Sequence, residues 1–322
     1  MKAAVVTENG LALRDIPAPV PAANEVLVRV RAAGLNRADL GIAAGHAHGS
    51  MGGPGAIPGI EWAGEVAAVG SDVGHVKPGD RVMCTGSGGY AEYAVSDLGR
   101  TMLIPARMSM EQAGVLPVAV QTMHDALVTN GRLVKGETVM IQGASSGVGL
   151  MGLQVAKRMG ARLVIGTSTN PQRRARLKEF GADLAVDTSN PGWADEVIAA
   201  TGGKGVDLIV DQISASVAND NMKAASVRGR IINVGRLGGT KGMFDFDLHA
   251  LKRIDYIGVT FRTRTVDEVR EITARMRADL WADVEAGRLS LPIDRTFTLD
   301  DVLAAVAHMT ANAHFGKIVM TA

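Results

Sequence analysis

The stretch that decides the fold is Thr138-Val139-Met140-Ile141, followed after Gln142 by Gly143-Ala144-Ser145-Ser146-Gly147-Val148-Gly149. The apolar run predicts a buried strand, and the residues after the glycines predict a helix as far as Arg158. Glycines in such a turn let backbone N–H groups approach a pyrophosphate, which then lies at the positive end of the helix. We therefore predict a dinucleotide-binding turn. Its G-x-x-x-G-x-G spacing departs from the commonest G-x-G-x-x-G, and a bare glycine triplet also occurs in ordinary tight turns.

The alternation of strand and helix continues after this turn. Helices are predicted at 171–180, 192–201 and 215–227, and further strands at 162–166, 185–186, 206–210, 230–234 and 255–260. Six strands that alternate with helices indicate an α/β fold with a doubly wound parallel sheet, the Rossmann type.

The first hundred residues have a different pattern. Short extended runs such as Glu25–Val30, with period-two alternation, predict a mainly β region. Residues 45–59 contain six glycines and two prolines and predict a long mobile loop. After residue 265 we predict two amphipathic helices and a closing strand at 316–320, which is expected to return to the first domain.

Length and composition narrow the class of protein. A chain of 322 residues with 47% apolar residues is long enough for two domains with separate cores. Charges nearly cancel, with 34 basic and 33 acidic residues, so neither nucleic acid nor a membrane is an expected partner. The single cysteine, Cys84, excludes an internal disulfide and a four-cysteine zinc site. We find no signal-type or membrane-spanning segment, and we expect a cytoplasmic protein.

The choice of cofactor is predicted from the end of the second Rossmann strand. Residues 166–170, which include Thr167 and Ser168, contain no acidic side chain to hold the ribose hydroxyls of NAD. Arg173, Arg174 and Arg176 follow, and guanidinium groups suit a 2′-phosphate in charge and in geometry. This pattern favours NADPH. The alternative for any one of these arginines is that it only solvates a surface helix.

From end to end, the chain resembles the zinc-independent quinone oxidoreductase and zeta-crystallin-like branch of the medium-chain dehydrogenase/reductase superfamily. The motifs that carry the resemblance are residues 33–40, 58–64, 76–82, 89–93, 143–149, 207–211 and 316–319. The resemblance implies a GroES-like, mainly β catalytic domain formed by 1–118 and 265–322. It also implies a Rossmann NADPH-binding domain at 119–264 and a homodimer or homotetramer.

The resemblance also bears on metal binding. The zinc-dependent branch has a cysteine before the aspartate of the first motif and a histidine before the glutamate of the second, whereas this chain has Asn36 and Ile60 in those neighbourhoods. We therefore predict no metal. His46 and His48 lie two residues apart, and we interpret them as solvated loop residues and not as ligands.

The resemblance implies that Asn36, Thr122 and Ser146 are the catalytic residues. Their amide and hydroxyl groups would orient the nicotinamide and bind a substrate oxygen. For Asn36 the alternative is an asparagine that only forms a turn, and an isolated Phe261 would more often be a core residue. The resemblance also assigns to the cofactor site Ala144, Ser145, Gly147, Val148, Gly149, Thr167, Ser168, Arg173, Val234, Gly235, Phe261, Arg262 and Lys317, with Arg173 and Lys317 near the adenosine phosphate.

These features together predict an NADPH-dependent, zinc-free reductase of quinones or α,β-unsaturated carbonyl compounds, with a small-molecule substrate. Relatives often have a tyrosine just after the motif at 36–39, but residues 41–47 of this sequence contain none. Tyr90 and Tyr93 are expected to pack, so water is expected to supply the proton. The alternatives are an enoyl-thioester reductase and a non-catalytic NADPH-binding protein of the crystallin kind.

Overall fold

The structure is a computed structural model, and it describes residues 1–46, 49 and 51–322. The chain forms two compact units, the first made of Met1–Val118 with Phe261–Ala322 and the second of Ala119–Thr260. Residues 261–264, which the sequence placed in the Rossmann domain, therefore belong to the first unit.

The strands in the described part of the chain are, in chain order, β1 (Lys2–Thr7), β2 (Gly10–Asp15), β3 (Glu25–Gly34), β4 (Glu61–Val69), β5 (Arg81–Thr85), β6 (Tyr93–Asp97), β7 (Thr101–Leu103), β8 (Thr138–Gln142), β9 (Leu163–Thr167), β10 (Leu184–Val186), β11 (Val206–Asp211), β12 (Ala225–Asn233), β13 (Asp255–Gly258), β14 (Ile293–Thr298) and β15 (Lys317–Thr321).

The α-helices are α1 (Arg37–Ala43), α2 (Met110–Gly114), α3 (Pro117–His124), α4 (Gly147–Arg158), α5 (Pro171–Ala175), α6 (Trp193–Ala200), α7 (Ala218–Ala224), α8 (Phe246–Lys252), α9 (Val266–Glu285) and α10 (Val302–Thr310). None of these helices has both the length and the apolar character that crossing a bilayer requires.

The second unit is a parallel six-stranded sheet in the order β10-β9-β8-β11-β12-β13. Numbered from β8, this is the 3-2-1-4-5-6 order of the Rossmann fold, so the predicted fold class is confirmed. All five residues of β8 are buried, as expected for a central parallel strand with both faces covered. The hydrophobic core of the second unit includes Met140, Ile165, Trp193 and Ile231.

The first unit is a mainly antiparallel sheet in the order β14-β15-β3-β4-β5-β7, with β6 also paired to β3 and a separate β1–β2 hairpin. The alternation predicted for β3 is observed, because Val26, Val28 and Val30 are buried while Arg29 is exposed. The closing strand β15 pairs with β3, so its predicted return to the first domain is confirmed.

Differences from the sequence prediction are local. Strand β2 was not predicted, because none of its residues is buried and its apolar residues do not alternate cleanly with polar ones. The predicted helix 171–180 is interrupted, since α5 ends at Ala175 and a short 3₁₀ turn covers Leu177–Phe180. The described part of 45–59 contains no helix or regular strand.

Candidate active site

The glycine turn after β8 is bonded to the end of β9. Gly143 has φ +71°, a backbone conformation that favours glycine. Its N–H donates to Thr167 Oγ1 at 3.0 Å, and the N–H of Ala144 donates to Thr167 O at 2.9 Å. A Cβ on Gly149 would lie 2.6 Å from Gly143 O, so the helix approaches the turn too closely for any larger residue.

Helix α4 begins directly after the turn, with Ser146 as its N-cap. Ser146 Oγ accepts from Gly149 N at 3.0 Å. The N–H groups of Gly147 and Val148 have no acceptor among the residues that the structure describes. Two unpaired donors at the positive end of a twelve-residue helix fit a bound pyrophosphate. The residues present are therefore compatible with the dinucleotide that the sequence predicts.

Gln212, which the sequence analysis did not identify, connects the end of β11 to this turn. Its Nε2 donates to Gln142 O at 3.2 Å and to Gly143 O at 3.3 Å, and its Oε1 accepts from Ser146 Oγ at 3.1 Å. The single proton of the Ser146 hydroxyl already has Gln212 Oε1 and Gly143 O, also at 3.1 Å, as acceptors. Ser146 therefore acts first as a structural cap. The one signal for Gln212 was its position after a parallel strand next to β8.

The polar groups at the end of β9 are more numerous than predicted. The hydroxyls of Ser168 and Ser145 lie 3.1 Å apart. Arg174 Nη1 donates to Ser168 O at 2.8 Å and forms an ion pair with Asp187 Oδ2 at 2.9 Å. Arg173 is half-buried, and its backbone N–H is capped by Asn170 Oδ1. The structure thus places Arg174 at the end of β9, and the phosphate-binding role of Arg173 stays a prediction.

Val234 and Gly235 lie at the same edge of the sheet as the glycine turn. Their N–H groups donate to Asp211 O at 2.8 and 3.1 Å. A Cβ on Gly235 would lie 2.6 Å from Gln212 O, so this segment contacts the residue that supports the turn. Thr122 is half-buried on α3, and the neighbouring Met123 packs against α4.

In the first unit, Asn36 belongs to a set of buried polar side chains. Lys317 Nζ donates to Asn36 Oδ1 at 2.7 Å and to Glu61 Oε1 at 2.6 Å, and Asn36 Nδ2 donates to the same Glu61 oxygen at 2.9 Å. The second contact of Nδ2 is long, 3.4 Å to Gly34 O. Both ends of the amide are therefore oriented by charged partners, a role beyond that of a turn-forming asparagine.

Asp39 and Tyr90 extend this set. Asp39 accepts hydrogen bonds from Asn36 N at 2.8 Å, Tyr90 OH at 2.9 Å and Gly59 N at 3.0 Å. Burial raises the pKa of Asp39 to about 6 despite these donors, and burial next to Asp39 raises the pKa of the Tyr90 phenol. Tyr90 packs, as predicted, and also donates a hydrogen bond. We call Asn36, Asp39, Glu61, Tyr90 and Lys317, all at least nine-tenths buried, the buried polar cluster.

Lys317 is 3% exposed, and the structure gives its ammonium a role that the sequence did not predict. It binds Asn36 and Glu61, which are 281 and 256 residues away along the chain. Its assignment to the adenosine phosphate stays a prediction. Phe261 is half-buried and Arg262 is exposed, and both lie in the first unit.

The loop at 45–59 contacts one of these residues. Gly49 has φ +67°, and a Cβ there would lie 2.1 Å from Arg262 O. His46 is exposed, as the solvated interpretation expects, and His48 lies outside the described residues. No group of three or more metal-binding side chains occurs within residues 1–46, 49 and 51–322.

Comparison with known proteins agrees with this architecture. A family model described as an alcohol dehydrogenase GroES-like domain matches residues 22–106, and one described as zinc-binding dehydrogenase matches residues 147–277. A quinone oxidoreductase from Rattus norvegicus is 30% identical over 311 residues, which cover 95% of this chain and 92% of the relative.

Solved structures are similar over the whole chain. An NAD-dependent alcohol dehydrogenase superimposes with a TM-score of 0.89 at 28% identity, and the match covers all of both chains. A mycobacterial protein in complex with NADPH superimposes with a TM-score of 0.88 at 26% identity, again over all of both chains.

Proposed function

Since this chain belongs to the medium-chain dehydrogenase/reductase superfamily, as an oxidoreductase of the quinone oxidoreductase type, we propose that it reduces quinones or α,β-unsaturated carbonyl compounds with NADPH and without zinc. The family binds a nicotinamide cofactor. The observation that carries the proposal is the orientation of the Asn36 amide within the buried polar cluster.

The bound cofactor would supply the hydride. Gly147 and Val148 would bind its pyrophosphate through their backbone N–H groups. Ser145, Ser168 and the nearby guanidinium groups would face the ribose that carries the 2′-phosphate, because this ribose is read at the end of the second strand of the sheet. Serine hydroxyls and arginines favour a phosphate dianion over a bare hydroxyl.

Asn36 would hold the substrate oxygen. One Nδ2 hydrogen is donated to Glu61, while the other makes only a long contact with Gly34 O and would be donated to the substrate oxyanion instead. The Lys317 ammonium on Oδ1 polarises the amide and strengthens its N–H donors. A conjugated acceptor spreads the incoming charge over several atoms, so one oriented amide and a proton from water are sufficient.

The zinc-free part of the proposal rests on the chemistry of the cluster. Asn36 and Ile60 replace the thiolate and the imidazole of the zinc-dependent branch. The oxygens of Asn36 and Glu61 already share a cation, the Lys317 ammonium. A metal ion at this place would be repelled by that charge.

The test is oxidation of NADPH, followed by its absorbance, with a panel of quinones, enones and enoyl thioesters. Turnover with quinones or enones that survives dialysis against a chelator is the expected result. Turnover only with enoyl thioesters would support the alternative reductase, and NADPH binding without turnover of any acceptor would support a non-catalytic role. One zinc per chain after dialysis, found by elemental analysis, would contradict the zinc-free proposal.

We also propose a homodimer or homotetramer in the cytoplasm. Strand β13 lies at the end of its sheet, and several apolar side chains near it in sequence are exposed. These are Leu237, Met243, Phe246 and Leu251. Exposed apolar side chains and an edge strand are both features of surfaces that a second copy can cover. Sedimentation equilibrium that gives only a monomer at micromolar concentration would contradict the assembly.

A further inference from the structure

The carboxyl ends of β9 and β10 lie side by side. The two strands pair in parallel with Val186 opposite Thr167, and Ser168 N donates to Val186 O at 3.1 Å. The first residue after β9 is therefore Ser168, and the first residue after β10 is Asp187. Because the adenine-side ribose is read at the end of the second strand, Asp187 lies next to that position.

Asp187 forms an ion pair with Arg174 at this position. Its Oδ2 pairs with Arg174 Nη1 at 2.9 Å, and the same nitrogen donates to Ser168 O at 2.8 Å. The Arg174 and Asp187 side chains are 23% and 31% exposed, so a ligand can reach both. The second oxygen, Oδ1, accepts from Ser189 Oγ at 2.6 Å and Ser189 N at 3.0 Å. These hydrogen bonds and the charge of Arg174 lower the pKa of Asp187, so the carboxyl is ionised at neutral pH.

We propose that Asp187 is a specificity determinant that limits the preference for NADPH over NADH. Its carboxylate neutralises part of the charge of Arg174 and repels the 2′-phosphate, whereas it has no such effect on the ribose hydroxyl of NADH. The acid that the sequence analysis did not find at 166–170 is thus supplied by the neighbouring strand. The inference rests on the proposed function, because it requires a nicotinamide dinucleotide at the glycine turn.

The test compares two fragments that differ by the phosphate in question, 2′,5′-ADP and 5′-AMP, by titration calorimetry. Asp187→Asn is expected to tighten 2′,5′-ADP by about three- to tenfold and to change 5′-AMP by less than about twofold. This increase in affinity for 2′,5′-ADP should be smaller in about 1 M salt, since a charge effect at a partly exposed site is screened. Asp187→Ser removes the same charge and is expected to act in the same direction.

Asp183→Asn is a matched control. Asp183 is 38% exposed and pairs with Lys157 at 2.5 Å, but it accepts from Val164 N at the amino end of β9. It carries the same charge at the opposite end of the strand, so its loss should leave the ratio of the two affinities unchanged. Arg174→Ala should weaken 2′,5′-ADP about tenfold and 5′-AMP little.

Each other outcome overturns the inference. Weaker binding of 2′,5′-ADP by both Asp187 variants would mean that the carboxylate positions Arg174. An unchanged ratio of the affinities for 2′,5′-ADP and 5′-AMP would mean that the carboxylate does not face the phosphate. If wild-type protein binds 5′-AMP and 2′,5′-ADP but the variants have no effect, only this inference fails. If wild-type protein binds neither fragment, the proposed cofactor site fails with it.

Discussion

The glycine turn of the second unit and the buried polar cluster of the first are both polar sites, but they are assembled from different ranges of sequence. The hydrogen bonds from the turn to β9 join residues 23 and 24 positions apart, within one βαβ unit. The cluster joins Asn36 and Glu61 to Lys317, 281 and 256 positions later. The turn is held by one βαβ unit and by Gln212 after β11, whereas the cluster depends on strands from both ends of the first unit. Variants in the cluster should therefore affect folding and activity together, and variants in the turn region should affect mainly cofactor binding.

The largest effect is expected for Lys317→Met. This change leaves the carboxylate of Glu61, which is fully buried, without its cation, and breaking a buried ion pair costs about 3–5 kcal/mol. The urea midpoint should fall accordingly. The double variant Glu61→Gln with Lys317→Met removes both charges and should recover most of the loss. A single variant as stable as the wild type would mean that the pair is not a structural requirement of the first unit.

Asn36→Ala is expected to reduce kcat/KM by roughly one to three orders of magnitude, the loss of one oriented donor to the substrate oxygen. Steady-state kinetics with a quinone checks this. Replacing His46 and His48 together should change turnover little, because water supplies the proton. If Asn36→Ala left kcat/KM unchanged and the double-histidine variant were inactive, the loop histidines would be the proton donors. That result would contradict the proposed role of Asn36.

Arg173→Ala is expected to weaken NADPH by about ten- to a hundredfold, equivalent to about 1.5–3 kcal/mol for one charge-assisted pair, and to change NADH little. Arg176→Ala is the matched control, since Arg176 pairs with Glu179 on the same surface. Fluorescence titration with both cofactors decides the question. Equal losses for NADPH and NADH would show that Arg173 does not recognise the phosphate.

Ser146→Ala should have the smallest effect. Loss of the N-cap of α4 costs about 1 kcal/mol, and the change should weaken NADPH and NADH by the same modest factor. Thermal unfolding and the same titrations measure both effects. A large loss of kcat with unchanged cofactor affinity would instead assign Ser146 to the reaction itself.

The difference in sequence range between the glycine turn and the buried polar cluster also explains what could be predicted from the sequence. Six Rossmann strands and the turn were predicted because buried parallel strands are continuous apolar runs, and their turn residues are adjacent in sequence. Asn36 and Lys317 were identified separately, from a resemblance, but nothing in the sequence joined them. Glu61 lies inside one of the quoted motifs, yet its role depends on a partner from the last strand.

Asp187 and Gln212 were missed for a related reason. Gln212 follows β11, which lies beside β8, three strands earlier in the chain, so only the strand order brings Gln212 to the turn. Asp187 follows β10, which pairs with the preceding strand β9, but its ion pair with Arg174 cannot be read from a sequence pattern. The sequence also could not show which of Arg173 and Arg174 lies at the end of β9. Helix α5 is only five residues long, too short for a pattern that indicates which way each side chain points.

The place of β15 in the chain has a consequence for the order in which the protein is made. A growing chain contains Asn36 and Glu61 long before Lys317, whereas all six strands of the second unit lie within 119–260. We therefore expect the second unit to fold once it has emerged from the ribosome, since domains generally fold as units. We expect Glu61 to remain in contact with water until residue 317 follows, because burying a carboxylate without a cation is costly. Although its first residues precede the second unit in the chain, the first unit is thus expected to reach its native interior last.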